Sequence, residues 1–349
     1  MKKNIMENEQ VFNKSYNTFC YQNCLKYVLE SYSVQNAEFY INKAMTMIVG
    51  IGGLLEINLY YDYRARSLLP VFSDKVRKYY PDRKDCHAVF EDNLEEIKKG
   101  KPIIVDVDSY FLPYSPYYLN SHGCHSLILV DYNEVTDEVL VVDWMEPWCY
   151  KGSIKLENFL EARDSENDDD GGMFCGNPIQ NNWAELDCSG WDKTTEELIY
   201  NTIQLSLDQY YFPFGKDINE VKGVEALKYI SNNVAQLENY SEEEQNKYLD
   251  RLHRTLFSIN RRREFWEDFL LQVKKVAYSQ ELGRLIEENQ VLIESWEKLL
   301  YLVIKLGMRR KPGYARGLAA QMDEVIEAEK EYGEELKTFY ITLSKHLRC

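Results

Sequence analysis

The stretch HSLILVDYNEVTDEVLVVDW, residues 125–144, decides the fold prediction for the first half of the chain. It contains two runs rich in Val, Leu and Ile, residues 125–132 and 138–144, which are typical of β-strands. Between them lies a short polar segment from Asn133 to Asp137, which is suited to a turn. The stretch therefore predicts an antiparallel hairpin.

This hairpin brings a histidine and a carboxylate together. If its turn is centred near residue 134, His125 lies directly opposite Asp143. Opposed residues on antiparallel strands share a face, with Cβ atoms about 5 Å apart. An imidazole that hydrogen-bonds a carboxylate has a fixed tautomer and presents its other nitrogen to a nucleophile. We therefore predict His125 as a base oriented by Asp143, provided that the register does not slip.

The candidate nucleophile lies in TFCYQNCLKYVLESY, residues 18–32, which has the apolar spacing of an amphipathic helix. Cys20 lies at the start of this helix, where the positive end of the helix dipole favours a thiolate and free N–H groups can hold an oxyanion. Asn17 or Thr18 is the candidate cap, and Asn17 is also a candidate oxyanion residue. Cys24 lies on the apolar stripe and is predicted to be a core residue. A buried structural thiol is the alternative for Cys20.

A helix-start cysteine followed by a strand histidine and a strand aspartate is the chain order of papain-like sites. We therefore predict a papain-like cysteine-protease fold, α+β with an antiparallel sheet, and Cys20, His125 and Asp143 as its catalytic residues. Two alternatives stay open at this point. His122 could replace His125, and Asp108, which ends the run PIIVDVD, either lines the cleft or caps the next turn.

The chain is predicted to have three parts. Residues 1–162 form the papain-like catalytic domain, and residues 163–195, acidic and without a clear period, form a connecting loop. Residues 196–349 show helical apolar spacing almost throughout and are predicted to form an α-helical domain of four or five helices.

The composition of the chain limits the classes of partner that it is expected to bind. The net charge of −16 argues against nucleic acid and anionic membranes, and it suits a small cationic substrate, although it equally serves solubility. No run of about eighteen apolar residues predicts a membrane span. The first thirty residues lack the pattern of a secretory signal, so we expect a cytoplasmic protein. The eight cysteines form no CxxC pair, so we expect no metal.

Several of these stretches resemble a known family. FCYQNCLKYVL resembles the opening motif of the butirosin biosynthesis acyltransferase family, which is related to the bacteriocin-leader peptidases. In that motif a cysteine is followed five residues later by Leu and four residues after that by another apolar residue. Here these are Cys20, Leu25 and Leu29. The resemblance supports Cys20 over Cys24.

The stretch PIIVDVDSYFLPYSPYYLNSHGCHSLILVDYN is similar to the family's strand, Asp-x-Tyr-x-Leu-Pro-Tyr loop and His-led strand. It favours His125 over His122, and its loop supplies the cleft candidates Asp108, Tyr110 and Tyr114.

Two further stretches resemble the family. VLVVDWMEP is similar to the strand that carries the third catalytic residue, Asp143. AEFYINKAMTMIVGIGGLL resembles an acidic residue followed by a Gly-rich segment. The chain departs from the family pattern at Phe19, usually histidine, and at Asp131, usually glycine.

The resemblance implies acyl transfer. The donor would be an acyl group on the phosphopantetheine arm of an acyl carrier protein, with no bound cofactor. Cys20 would take up the acyl group and pass it to a small cationic amine or diamine to form an amide, as in closthioamide assembly. A cysteine peptidase or amidase with the same triad is the first alternative, and a non-catalytic scaffold is the second.

A carrier protein is acidic, so its docking surface should be basic. Two clusters in the helical part are candidates, although an ordinary charged helix face would have the same composition. The docking candidates are Arg261, Arg262, Arg263, Arg309 and Arg310. The sequence leaves a homodimer open.

Overall fold

The structure is a computed structural model of the 349-residue chain. It describes residues 2–7, 19–45, 47–53, 56–59, 67–81, 85–146, 148–172, 174–211, 220–277, 279–308 and 313–347. The chain divides into two compact units. The N-terminal unit comprises Met1–Asn42 and Tyr63–Lys193, and the helical unit comprises Lys43–Asp62 and Thr194–Cys349.

The helices and strands of the described residues are numbered separately in chain order. The helices are α1 (Lys2–Met6), α2 (Cys20–Ser31), α3 (Ala37–Tyr40), α4 (Cys86–Lys98), α5 (Leu156–Asp164), α6 (Thr195–Tyr211), α7 (Gly223–Ala235), α8 (Glu242–Val276), α9 (Gln280–Met308) and α10 (Tyr314–Leu347). The strands are β1 (Ile48–Gly53), β2 (Glu56–Leu59), β3 (Val76–Tyr79), β4 (Ile103–Asp108), β5 (Cys124–Asn133), β6 (Glu138–Asp143), β7 (Tyr150–Lys155), β8 (Trp183–Leu186) and β9 (Glu220–Lys222).

A six-stranded antiparallel sheet forms the centre of the N-terminal unit, in the order β3-β8-β4-β5-β6-β7. Every residue of β4 is buried, because helices pack against the sheet, α2 on β5 and α5 on β4. This is why apolar residues predominate in β4 and β5. The core joins these strands to α4 and α5 and includes Phe90, Val105, Leu127, Leu129, Val141 and Phe159. The α+β prediction with an antiparallel sheet and a helical C-terminal region is confirmed.

The β5–β6 hairpin is present, but its register differs from the predicted one. Ile128 pairs with Val142, so the strands are displaced by two residues from the register that opposes His125 to Asp143. Because side chains alternate with a period of two, a two-residue displacement keeps both residues on one face. They are diagonal neighbours instead of directly opposed residues.

A β-bulge at Val130 determines this outcome. The register shifts by one residue between Leu129 and Asp131, so β5 carries one extra residue there. If the pairing next to the turn continued without the bulge, His125 and Asp143 would lie on opposite faces of the sheet. The bulge therefore places His125, at the start of β5, on the same face of the hairpin as Asp143.

The structure differs from the predicted connecting loop at residues 163–195. Trp183–Leu186 forms β8, which pairs with both β3 and β4, so this segment is part of the N-terminal sheet. All four residues of β8 are buried. Such a short strand has no alternating pattern that the sequence could reveal.

The structure also differs for residues 37–55, which read as a helix running into a turn. A single helical turn, α3, is followed by β1, which pairs with β2 and β9 in a three-stranded sheet of the helical unit. The Ile and Val residues around Gly50 favour a strand over a helix. The segment thus contributes to the second unit although it precedes most of the first.

The helical unit is built mainly from α6 to α10. The longest helix, α8, begins with a capping box in which Ser241 and Glu244 satisfy each other's backbone N–H groups. It packs against α9, which packs in turn against α10. No helix in the described ranges is long and apolar enough to cross a membrane.

Two of the arginines predicted to form the docking surface are buried in this unit, so that part of the prediction is wrong. Arg263 is fully buried and pairs with Glu329, also fully buried. Arg262 is 2% exposed, and Arg261 pairs with Glu264 on its own helix. Arg262 and Arg263 therefore cannot form a basic docking surface. Both face the interior of the helical unit, whereas Arg261, one position earlier on α8, is partly exposed. Arg309 and Arg310 lie outside the described residues.

Candidate active site

Cys20 is the first residue of α2, as predicted, and it is partly exposed. The helix follows Phe19, which is in extended conformation, and no side chain in the described region caps it. The Cys20 side chain lies close enough to His125, at the start of β5, to raise the pKa of the imidazole. The helix start and the strand start thus bring a nucleophile and a base into contact.

His125 is held by Asp143 at the end of β6. The His125 Nε2 atom lies 2.8 Å from the Asp143 Oδ2 atom, and the two residues are 6% and 1% exposed. Because Nε2 is engaged by the carboxylate, Nδ1 is the ring nitrogen left for the Cys20 thiol. This is the connectivity of a thiol–imidazole–carboxylate triad.

The surroundings of His125 favour its charged form. Burial acts to lower its pKa, but the charge and hydrogen bond of Asp143, together with the contact to Cys20, outweigh it and raise the pKa well above 6.5. The charged imidazolium is therefore stabilised at this position. A cation hydrogen-bonded to a cysteine stabilises negative charge on its sulfur, which makes the sulfur a better nucleophile.

Two aromatic side chains complete the support of Asp143. Tyr114 donates its hydroxyl proton to Oδ2 over 2.9 Å, and Trp148 donates its indole N–H to the same oxygen over 2.7 Å. Burial and the neighbouring Asp143 raise the pKa of Tyr114 well above its usual value, so Tyr114 stays a donor. The Trp148 ring also meets the His125 ring at 5.4 Å in an edge arrangement. These contacts fix the carboxylate rather than leave it to rotate.

Sequence reasoning named Tyr114 as a cleft residue but missed Trp148. Trp148 lies five residues after Asp143, beyond the end of the strand, and no periodic pattern relates the two positions. Only the course of the chain after β6 places its indole on the carboxylate.

Cys24 is a core residue, as predicted. It is 1% exposed, and its thiol contacts the Ser126 carbonyl oxygen at 3.4 Å. Burial, followed by the nearby Cys20, raises the pKa of Cys24 well above the usual range. A thiol that resists ionisation is a poor nucleophile, so only one of the two cysteines on α2 suits the chemistry.

Asp108 was predicted either to line the cleft or to cap the next turn, and the structure shows the capping role. It is fully buried and accepts hydrogen bonds from the backbone N–H groups of Tyr110 and Gly123 and from the Ser165 hydroxyl. Its Oδ2 atom also lies 2.7 Å from Nδ1 of His122. Asp108 therefore organises the loop before β5, which is the capping alternative that the sequence left open.

His122, the rival base, is occupied within that loop. Its ring is bound to Asp108 and stacks on Tyr110 with ring centres 4.2 Å apart. Tyr110, also a predicted cleft residue, thus packs on His122. The Asp170 carboxylate accepts the His122 backbone N–H and the Ser121 hydroxyl, which hold the pKa of Asp170 far below its usual range. The acidic segment therefore anchors the loop that leads to His125.

Two further predictions concern the oxyanion residue and the metal. Asn17, the oxyanion candidate, lies outside the described ranges. Among the residues that the structure describes, no group of three or more His, Cys, Asp or Glu side chains is placed to hold a metal ion.

Comparison with known proteins identifies the region that carries this site. No curated protein matches the chain. Residues 20–144 match the family model described as butirosin biosynthesis protein H, N-terminal. The match begins at the nucleophile and ends one residue after Asp143, so it contains the whole triad. Residues 20–144 are therefore similar to the N-terminal domain of the butirosin biosynthesis protein H family, and this similarity indicates a biosynthetic acyltransferase-like role.

Proposed function

We propose that this protein is a cysteine-dependent acyltransferase that forms an amide in specialised metabolism through an acyl group on Cys20. The observation that carries the proposal is the arrangement of Cys20 beside His125, whose Nε2 atom lies 2.8 Å from Oδ2 of Asp143. Its location within the matched family region supports acyl transfer as the chemistry.

The first half-reaction loads the enzyme. The Cys20 sulfur, as a thiolate, attacks the carbonyl carbon of a thioester, for which we propose a phosphopantetheine thioester of an acyl carrier protein. A new S–C bond forms, and the bond to the phosphopantetheine sulfur breaks. The protonated His125 gives its proton to the departing thiolate. Since a thioester replaces a thioester, this step is close to balanced in free energy.

The second half-reaction unloads the enzyme onto a neutral amine. The amine nitrogen attacks the acyl carbon on Cys20, and His125 accepts the proton that the nitrogen loses. The C–S bond breaks, which returns the thiolate and the protonated imidazole to their starting states. Asp143 stays ionised throughout and stabilises the imidazolium each time it forms. The products are an amide and a free carrier thiol.

The same triad would also serve a cysteine peptidase or amidase, in which water takes the place of the amine. The two functions differ only in donor and acceptor. The test therefore presents both kinds of donor, acyl N-acetylcysteamine thioesters and peptides, with and without a small diamine, and identifies products by mass.

An amide that forms only with thioester and amine present, and that is lost in Cys20→Ala, is the expected result. Peptide cleavage without amide formation would replace the proposal with the peptidase function. Neither product from a broad donor panel would indicate a scaffold without catalysis.

A further inference from the structure

The solvent side of α9 carries an exposed stripe with the spacing of a coiled coil. The inner side of this helix packs against α8 and α10 and buries residues such as Leu292 and Trp296. On the solvent side, six exposed residues follow one another at alternating intervals of four and three positions, which is the spacing of a coiled-coil contact line. We call these residues the outer seam: Glu287, Val291, Glu294, Lys298, Tyr301 and Lys305.

The C-terminal part of α9 is more apolar than the packing of the helical unit requires. Residues 299–304 read LLYLVI, so the helix is apolar on every side here. Of this run, only Leu299 and Val303 are buried, while Tyr301 is 69% exposed and Ile304 is 45% exposed. A helix that is apolar all round is typically buried all round. The sequence therefore indicates that a partner covers the solvent side of α9.

The charges of the outer seam are separated along the helix. Both carboxylates, Glu287 and Glu294, lie towards its N-terminal end, and both ammonium groups, Lys298 and Lys305, lie towards its C-terminal end. A second copy of α9 in parallel orientation would place carboxylate against carboxylate and ammonium against ammonium. In antiparallel orientation each carboxylate meets an ammonium group, which is favourable. The charge pattern thus favours an antiparallel second copy of this chain.

A single register satisfies all six residues of the outer seam. A two-fold axis level with Trp296 brings residues that lie equally far from it on the two copies opposite each other, as a symmetric dimer interface requires. Each pair occurs twice by symmetry, so the interface contains both ion pairs and apolar contacts. The pairs are Glu287 with Lys305, Val291 with Tyr301, and Glu294 with Lys298.

One of these ion pairs can form only between two chains. Glu294 and Lys298 are four positions apart on one helix, so they can also pair within a single copy. Glu287 and Lys305 are eighteen positions apart, which corresponds to about 27 Å along the helix axis. The contact between Glu287 and Lys305 therefore reports on the dimer and its register.

We infer that this chain forms a homodimer through the outer seam of α9, with the two copies of the helix antiparallel about a two-fold axis level with Trp296. The dimer goes beyond the proposed function, because it does not depend on the chemistry at Cys20. The interface consists of α9 of one copy on α9 of the other.

The register also places one unfavourable contact at the axis. Glu297 flanks the outer seam, is exposed, and meets Glu297 of the second copy next to the axis. Since like charges that face each other weaken an association, Glu297→Gln is expected to tighten the dimer about twofold. Glu324→Gln, the same exchange at an exposed residue of α10, is expected to leave the dimer unchanged.

The test is sedimentation velocity of the full chain over a series of concentrations. The wild type should shift from 41.3 kDa towards twice that mass as its concentration rises. Tyr301→Glu puts a carboxylate against Val291 of the second copy and should weaken the dimer at least about tenfold. Ile341→Glu, an apolar-to-acidic exchange at an exposed residue of α10, is the matched control and should dimerise as the wild type does. Melting curves verify that each variant is folded.

Charge reversal tests the register. Glu287→Lys and Lys305→Glu each place like charges opposite each other twice, so each variant alone should dimerise at least about tenfold more weakly than the wild type. When the two variants are mixed, every lysine of these pairs meets a glutamate of the other chain, and a heterodimer of wild-type affinity should form. The double variant, with both exchanges in one chain, should regain the homodimer.

A second mixture separates this specific pairing from a general attraction between chains of different net charge. Glu324→Lys carries the same charge change as Glu287→Lys, but on α10. Mixed with Lys305→Glu, it leaves one contact between like charges at the seam. This mixture should therefore associate more weakly than the mixture of Glu287→Lys with Lys305→Glu.

Restored association in the mixture and in the double variant supports the inference, because damage to the fold would not be repaired by a second charge reversal. A wild type that stays at 41.3 kDa at every concentration would overturn it. A wild-type dimer that Tyr301→Glu does not weaken would place the interface on another surface. A dimer that both single reversals weaken and that neither the mixture nor the double variant restores would contradict the antiparallel register.

Discussion

Three hydrogen bonds converge on one oxygen of Asp143, from His125, Tyr114 and Trp148, while its Oδ1 atom is buried and has no partner in the described part of the chain. The imidazole is therefore oriented by a carboxylate that is itself clamped from two sides. Hydrogen bonds to a charged group contribute about 1.5–3 kcal/mol each, so loss of either clamp should be measurable.

Tyr114→Phe and Trp148→Phe each remove one donor and keep an aromatic ring. We expect each to slow acylation of Cys20 about tenfold, because the imidazole loses its fixed orientation. The rate of adduct formation with an acyl thioester is the measurement. Tyr117→Phe, in the same loop but 45% exposed, is the matched control and should react at the wild-type rate. Full activity of both clamp variants would show that Asp143 needs no such support.

The raised pKa of His125 predicts a specific pH dependence. In an NMR titration His125 should deprotonate well above 6.5, and in Asp143→Asn it should deprotonate at lower pH, because burial then acts without the opposing charge. The stability that protonated His125 gives the folded state is complete below the unfolded pKa of about 6.5 and is lost as pH rises through the higher folded value. The difference in unfolding free energy between wild type and Asp143→Asn should therefore shrink at alkaline pH. A His125 titration near 6.5 in the wild type would refute this.

At the element scale, the site depends on the register of the β5–β6 hairpin, and the bulge at Val130 accommodates one residue that would otherwise shift that register. The residue after it, Asp131, forms an ion pair with Lys2 of α1. The bulge is thus held from outside the sheet as well as by the ladder.

Deletion of Val130 removes the extra residue and leaves Leu129 paired with Val141 next to Asp131 paired with Leu140, so His125 stays on the face of Asp143. We therefore expect His125 to keep its raised pKa and Cys20 to keep its reactivity towards thioesters. Deletion of Val135, which is 94% exposed in the turn, is the control and should also leave both properties intact. Loss of both properties in the Val130 deletion alone would mean that the site needs the bulge itself and not only the register.

The hairpin and the triad could be predicted from sequence because each rests on a local pattern. Strand periodicity located β5 and β6, and the start of the amphipathic stripe located Cys20. The bulge has no signature in a run of Leu, Ile and Val, so the predicted register was two residues off. His125 and Asp143 still share a face of the sheet, as predicted, because a displacement of two residues does not change the face to which a side chain points. Trp148 and the buried state of Asp108 depend on contacts distant in sequence, which periodicity does not carry.

At the scale of the whole molecule, the helical unit is organised around charge as well as apolar packing. The Arg263 and Glu329 pair is surrounded by Tyr210, Trp296 and Asn289, which hydrogen-bond to one partner or the other. Consecutive arginines on α8 read as a basic surface in the sequence. Which of them point inward is decided by the neighbouring helices.

Removing one partner of a buried pair leaves the other charge uncompensated, at a cost of about 3–5 kcal/mol. Arg263→Met should therefore lower the unfolding free energy of the helical unit by this amount in urea. Arg261→Met, which affects a partly exposed pair, should change it by at most about 1 kcal/mol. The double variant Arg263→Met with Glu329→Leu should lose less than Arg263→Met alone. Equal effects of Arg261→Met and Arg263→Met would contradict the buried pair.

The central claim is that Cys20 carries the acyl group. The most direct measurement is intact-mass and peptide mass analysis after reaction with an acyl N-acetylcysteamine thioester, for the wild type, Cys20→Ala and Cys24→Ala. The account predicts a single adduct on Cys20 in the wild type and in Cys24→Ala, no adduct in Cys20→Ala, and loss of the adduct when a diamine is added. An adduct that persists in Cys20→Ala, or that maps to Cys24, would contradict it.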